Sequence, residues 1–263
     1  MANIDFTFDG VSAATKNFLS LRVIKGLMPI QEEVAINIPK VSGITQLFKK
    51  FTKRDIIIRG ELSGTDHDDL IDKISALSAF LYSSVDKQLI INNDNSRYYN
   101  AQHIADVEVL RENYYSMLDL KFTCNDPFAY AITPDTDGPT QRTTDGGTWN
   151  ITNLGQYYAY GTVTIHFNQA QTHIYISNNT IIGSRFDISK SFVNHDVLVV
   201  DAKTMQITLN GTYSPAGFGD GGLGYAEYIL LAYTGTGINQ FEIGTDDVSL
   251  DATVTVAFNK TYL

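Results

Sequence analysis

The 263-residue chain carries a single cysteine, so no intramolecular disulfide framework and no cysteine-based zinc site can form. No apolar run approaches the roughly 18 residues of a membrane span, and no membrane insertion is expected. Basic residues are scarce: 19 Lys+Arg face 29 Asp+Glu, giving a net charge of -10 and a pI near 4.8. That balance argues against nucleic-acid binding as the main task. The opening MANIDFTFDG lacks both the basic and the apolar stretch of a secretion signal, so none is expected. No internal repeat of fixed period is visible. What is present is a chain with 43% hydrophobic and 18% charged residues, enough for a proper core and incompatible with global disorder. The length suits one large or two ordinary domains.

The two halves differ. Residues 1–130 carry a net charge of -3 and residues 131–263 one of -7, the second half holding only 5 Lys+Arg. Between them, Thr133-Pro134-Asp135-Thr136-Asp137-Gly138-Pro139 is dense in turn formers and lacks apolar periodicity. It reads as a linker over 133–140, separating domains at 1–132 and 141–263. In the first half, Leu70, Ile71, Ile74, Leu77 and Leu81 recur at helical spacing and predict one helix over about 66–83. Thr65 is the expected N-cap, with Asp66, Asp68 and Asp69 placed where the helix dipole favours carboxylates. Ile56-Ile57-Ile58 signals a buried strand, 89–91 and 97–99 a hairpin, and Asp106–Glu112 a further strand. Leu118, Leu120, Phe122 and Cys124 alternate with polar residues, which predicts a half-buried strand. The second half is nearly all strand: Val163, Ile165 and Phe167; Ile174 and Ile176; Val197–Val200; Met205, Ile207 and Leu209; Val254, Val256 and Phe258. Many short strands with polar turns indicate an antiparallel sandwich or jelly roll.

Several constellations could carry chemistry. Gly219–Gly224 matches G-x-G-x-x-G, but it leads into a strand rather than a helix, so a loop fits better than a dinucleotide site. His166 and His173 sit near the ends of neighbouring strands; exposed strand histidines are a better reading than a metal pair. Cys124 shares a face with Leu118 and Phe122 and reads as core. Asp246, Asp247 and Asp251 could supply paired carboxylates, but they look like a solvated turn. Lys49, Lys50, Lys53 and Arg54 form a small basic cluster suited to a solvated loop or an acidic protein neighbour. Trp149, Tyr157, Tyr158 and Tyr160 cluster at the start of the second domain. Such rings can stack on saccharides, with core or interface packing as the plainer alternative. No catalytic residue, cofactor site or metal site is assigned.

The chain resembles a family. Phe6-Thr7-Phe8-Asp9-Gly10, Ile38-Pro39-x-x-x-Gly43, the helix over 70–82 and Tyr98-Tyr99-Asn100-Ala101 fall in the order seen in distal tail proteins (Dit) of long-tailed, siphovirus-type bacteriophages. Phe122-Thr123-Cys124-Asn125-Asp126-Pro127-Phe128-Ala129-Tyr130 is similar to the F-x-C-x-D-P-F-x-Y ending of that family's N-terminal domain. Leu198–Asp201 to Ile207–Gly211 resembles the hairpin of its C-terminal domain. Gly237–Ile243 resembles its G-x-N-x-I-x-I strand, with Phe241 where Ile is usual and a one-residue offset. The resemblance implies a mainly β fold with one helix. An N-terminal β-sandwich plus helix would form a ring with an extended belt hairpin, and a galectin-like or jelly-roll sandwich would follow.

It also implies a homo-hexameric ring in the virion tail tip, assembled in the host cytoplasm. That ring would touch the tail tube protein, a tail tip or tail-associated protein, and receptor-binding or baseplate proteins in host attachment. DNA would pass through without specific binding, as an acidic conduit allows. Asp126, Pro127 and Phe128 are the motif expected to clasp the end of the first domain, with Phe128 folded onto Leu118, Leu120 and Phe122. Some relatives carry inserted carbohydrate-binding modules, for which this compact second half leaves no room. The competing function is a carbohydrate-binding β-sandwich adhesion protein.

Overall fold

The computed structural model describes residues 4–36, 45–104, 110–112, 114–213, 230–233, 235–247 and 249–263. The chain divides into two compact units, Met1–Ile132 with Leu263, and Thr133–Tyr262.

The first unit contains β1 (Phe6–Phe8), β2 (Val11–Ser12), β3 (Phe18–Lys25), β4 (Gln31–Ile36), β5 (Thr45–Phe51) and β6 (Arg54–Ser63). Helix α1 (His67–Leu81) follows, then β7 (Lys87–Ile91), β8 (Arg97–His103), β9 (Leu110–Glu112), β10 (Tyr115–Cys124) and β11 (Ala129–Ala131). The strand order is β2-β1-β7-β8-β10-β6-β3, and β4 and β5 form a hairpin of their own. The expected 89–91/97–99 hairpin is present as β7 paired with β8, Leu89 opposite Tyr99. Of the strand expected over Asp106–Glu112, Leu110–Glu112 is β9, and the rest lies outside the described residues.

Side-chain alternation builds this core. Ile56, Ile58 and Leu62 of β6 and Leu118, Leu120, Phe122 and Cys124 of β10 are all buried. Phe122 meets Phe6 edge-on with ring centres 5.5 Å apart, and Phe6 meets Phe18 at 6.0 Å. Helix α1 buries Leu70, Leu77 and Leu81 and lays Phe80 against Phe8, ring centres 6.0 Å apart. Its N-cap is Asp66 rather than Thr65. The Asp66 carboxylate accepts from the Asp69 N–H at 2.9 Å, while Asp69 reaches back to the Thr65 N–H at 2.7 Å. This reciprocal arrangement satisfies two donors that a helix start leaves open, and it needs the two carboxylates three residues apart.

The second unit contains β12 (Asp135–Arg142), β13 (Gly147–Thr152), β14 (Ala159–Phe167), β15 (Gln171–Asn178), β16 (Arg185–Phe192) and β17 (Val197–Asp201). It continues with β18 (Gln206–Leu209), β19 (Thr212–Tyr213), β20 (Leu230–Leu231), β21 (Ile238–Gly244), β22 (Ala252–Phe258) and β23 (Thr261–Tyr262). One sheet runs β12-β22-β14-β17-β18-β19, with β20 also on β14; the other runs β13-β21-β15-β16. Val163, Ile165, Phe167, Val254 and Val256 from the first join Ile174, Ile176, Phe186, Phe241 and Ile243 from the second in one buried cluster. The chain is thus mainly β with one helix among the described residues, as its patterning implied.

Two expectations are corrected. Most of the segment taken as a linker over 133–140 is the edge strand β12, paired with β22 from Asp135↔Phe258 to Arg142↔Ala252. Turn formers are tolerated there because the ladder breaks between Asp137 and Thr140, so Gly138 and Pro139 sit in an irregularity at an edge. Met205 does not share a strand face with Ile207. It occupies the turn before β18 at φ 58° and is 64% exposed.

Three of the sequence motifs have physical causes. Asp9-Gly10 and Asn210-Gly211 each place both residues at positive φ, the geometry of a tight hairpin turn between twisted strands. Asn210 also accepts from the Val197 N–H and donates to Asp196, both at 2.8 Å, tying the turn to the start of β17. At Gly237 (φ +69°) an added Cβ would lie 2.2 Å from the Asn153 carbonyl oxygen, so only glycine fits. Two residues on, the buried Asn239 amide bonds the Ala232 N–H and carbonyl and the Gly237 carbonyl, at 2.6, 3.0 and 2.8 Å. The G-x-N of the motif is a knot of main chain held by one side chain. The segment Ile38–Gly43 lies outside the described residues.

Candidate interaction surfaces

Strand β10 stops at Cys124, three residues before a proline that could not extend the ladder. Pro127 is buried, and the Asp126 carboxylate accepts from the Tyr130 hydroxyl at 2.7 Å, closing the turn into β11. Phe128 is half-buried and packs edge-on against Phe51, ring centres 5.6 Å apart. The Phe128 ring therefore rests on Phe51 at the end of the β4–β5 hairpin. The site expected for it near Phe122 is filled by Phe6 and Phe8, whose rings lie 5.5 and 5.3 Å from Phe122. Cys124 is fully buried, and burial pushes its thiol up to about 12, the setting of an inert core cysteine.

The four aromatic candidates do not share one platform. The Trp149 ring packs on Phe241 at 5.6 Å and carries the Arg142 guanidinium 4.1 Å from its centre. Tyr157 and Tyr158 instead gather around Tyr233, with ring centres 5.8 and 5.3 Å away. Tyr160, 47% exposed, stands on β14. Burial, then the neighbouring tyrosines, raise the Tyr157 hydroxyl pKa. Tyr233 ends the apolar run Ile229-Leu230-Leu231-Ala232 in sequence, and nothing local signals that it meets Tyr157 and Tyr158 some 75 positions earlier.

The histidines part company. His166 is exposed on β14 of one sheet, whereas His173 is buried on β15 of the other, so the two strands are not neighbours. The expectation that both are exposed is corrected for His173, which is covered by side chains from two other elements. Its Nε2 makes a very short contact with Asp187, and its Nδ1 lies 3.3 Å from Asp246 without a well-aligned hydrogen bond. Arg185 donates to Asp187 at 2.7 Å and lies over the Tyr175 ring at 4.0 Å. Tyr175 and Asn179 both donate to Glu242, at 2.9 and 2.8 Å. Burial works against ionisation of Asp187, but the hydrogen bonds from Arg185 and then His173 outweigh it and hold its carboxyl low. Burial and the Glu242 bond push the Tyr175 hydroxyl up to about 12.

Asp247 accepts from Thr172, through both side chain and N–H, and Asp251 accepts from Asn168 and Gln141; both carboxyls are held low. Neither has the raised pKa a general acid requires. Among the described residues no three His, Cys, Asp or Glu side chains converge as metal ligands, and no helix is long and apolar enough to cross a membrane. The segment 214–229, with its glycine motif, lies outside the described residues.

The basic cluster also comes apart. Lys50 pairs with Glu32 at 3.1 Å across its own hairpin, and Arg54 is buried. The first unit is instead marked by exposed apolar side chains along β3 and beyond: Leu21 46%, Ile24 37%, Leu27 93%, Met28 48% and Ile30 48%. Phe48 on β5 is 54% exposed. Among the described residues β3 lies at the end of its sheet, so an apolar strip borders a strand edge that pairs with no other strand there.

These features define a two-unit, mainly β protein whose distinctive surfaces suit packing and docking. Residues 154–217 match the family model of the siphovirus-type tail component, C-terminal domain. The chain is similar over 99% of its length to the Dit protein of phage SPP1, whose crystal structure is described as a paradigm of hub adsorption apparatus in Gram-positive infecting phages. The likeness covers 99% of that chain, with a TM-score of 0.80 and 16% identity. A chain of the phage p2 baseplate in its activated conformation aligns over 98% of this chain and 97% of its own, at 9% identity and a TM-score of 0.45. Comparison with curated protein sequences finds no match. The resemblance to distal tail proteins is borne out, and the fold is theirs.

Proposed function

We propose that this protein is the structural hub of a phage tail tip: a hexameric ring in the virion that joins the tail tube to the tip and receptor-binding apparatus, lets DNA pass, and performs no chemistry. The observation that carries this reading is the end-to-end likeness to a single Dit chain, both units included. The edge at β3, bordered by Leu21, Ile24 and Leu27, supports it, because a head-to-tail contact between unlike surfaces forms a ring when its rotation closes. The net charge of -10 fits a conduit that does not hold phosphates. The second unit would face the baseplate or receptor-binding proteins. In the host, assembly precedes release in the virion. Negative-stain images of the purified protein across a concentration series test it. Six-fold rings with a central opening are expected; a two-fold dimer, or a monomer at every concentration, would remove the hub reading.

A further inference from the structure

His173 on β15 is 8% exposed, and both of its ring nitrogens face carboxylates. Nε2 contacts Asp187 of β16, and Nδ1 lies 3.3 Å from an oxygen of Asp246 in the turn after β21. A neutral imidazole has only one N–H. If Nε2 gives it to Asp187, the Nδ1 lone pair points at the Asp246 carboxylate and the two repel. The ring suits both neighbours only when each nitrogen carries a proton. Nδ1 makes no aligned hydrogen bond as it stands, and the Asp246 side chain, 80% exposed, has room to turn toward it or away.

The other groups around the ring are committed. Asp187 also accepts from Arg185 at 2.7 Å, and its carboxyl is held low, so it is an anion throughout the range in which histidine titrates. Tyr175, ring centre 6.2 Å from that of His173, gives its hydroxyl to Glu242. Asp247 is taken by Thr172, and Asp145 by the Thr245 N–H. The Thr245 hydroxyl donates to the His173 carbonyl at 2.7 Å, which fixes the main chain beside Asp246 whatever its side chain does. Burial opposes a charge on the ring, whereas two carboxylates at contact distance favour it.

We propose that His173 is a pH-sensitive latch: with both nitrogens protonated it holds the Asp246 side chain against the sheet, and loss of the Nδ1 proton releases that carboxylate to solvent. The latch lies wholly within the second unit and does not depend on the hub reading. Its contribution is present below the histidine range and lost as pH rises through it, because the proton binds more tightly in the folded chain. Release adds one negative charge and a free carboxylate to a corner that has no Lys or Arg from 143 to 146 or from 245 to 251.

The test follows histidine ring nitrogens by NMR in full-length wild type and Asp246→Asn from about pH 5 to about pH 9, the His173 ring being identified by its proximity to Tyr175. In Asp246→Asn the ring is expected to hold its proton about threefold or more less tightly. Heat melts of the same pair should show wild type the more stable near pH 5.5, by a margin that shrinks toward about pH 8.5. Because Asp246 is exposed, the variant keeps the fold. Equal proton affinity in the two proteins overturns the proposal, and so does a melting difference that is the same at both ends of the range.

Discussion

The two units cover their β cores with different surfaces. In the second unit, polar side chains of the β13-β21-β15-β16 sheet engage one another: His173, Asp187, Arg185, Tyr175, Glu242 and Asn179 form a continuous series of contacts. The first unit leaves apolar side chains exposed along β3 and holds Arg54 buried, its Nε and Nη2 without a hydrogen-bond partner among the described residues. A surface that satisfies itself gains little from a neighbour, whereas one with open polar and apolar groups gains much. Exposed apolar side chains occur in both units, Leu154 and Ile182 in the second among them; what sets the first apart is that several follow one another along a strand at the end of its sheet.

The comparison breaks most readily in the cores. Phe122→Ala removes a fully buried ring and is expected to cost about 3–5 kcal/mol, lowering a first-unit transition. Phe241→Ala should do the same to the second. Calorimetric traces in which both variants shift one shared transition equally would show that the units do not melt independently. The next largest effect concerns Asn239→Leu, which strips three main-chain partners of their bonds. A loss of about 2–4 kcal/mol is expected by denaturant titration, confined to the second unit.

Phe128→Ala should cost less, about 1–2 kcal/mol, since the ring is only half-buried and rests on Phe51. Chemical denaturation against Phe122→Ala would rank the two, and equal costs would contradict the clasp geometry. The smallest expected effect is a pH dependence. The Asp187 carboxyl is held below its unfolded value of about 3.9. Its contribution is therefore complete above that pH and lost as pH falls through the lower, folded value. Acid titration of wild type and Asp187→Asn should show the variant less dependent on pH below about 4.

Periodicity made the strands and the helix legible, because alternation and helical spacing report which side of an element is dry. The buried face of β10 and the helix stripe at Leu70, Leu77 and Leu81 could be read directly. What lay hidden was decided by distant partners. Phe128 settles on Phe51, 77 positions away in sequence. His173 is covered by Asp187 from another strand, and Trp149 finds Phe241 far along the chain. Composition misled at β12, since turn formers describe a linker and an edge strand equally well. Arg54 was counted as surface charge because nothing local distinguishes a buried arginine from an exposed one.

The burial of Cys124 has a practical side. The only thiol of the chain sits in the core with its reactive form suppressed. A maleimide reagent should therefore pass over the native protein. A cysteine introduced in place of Leu27, 93% exposed, would then be the sole labelling position without removal of Cys124. Fluorescent or cross-linking reporters could be set at that edge one at a time to map which surfaces meet.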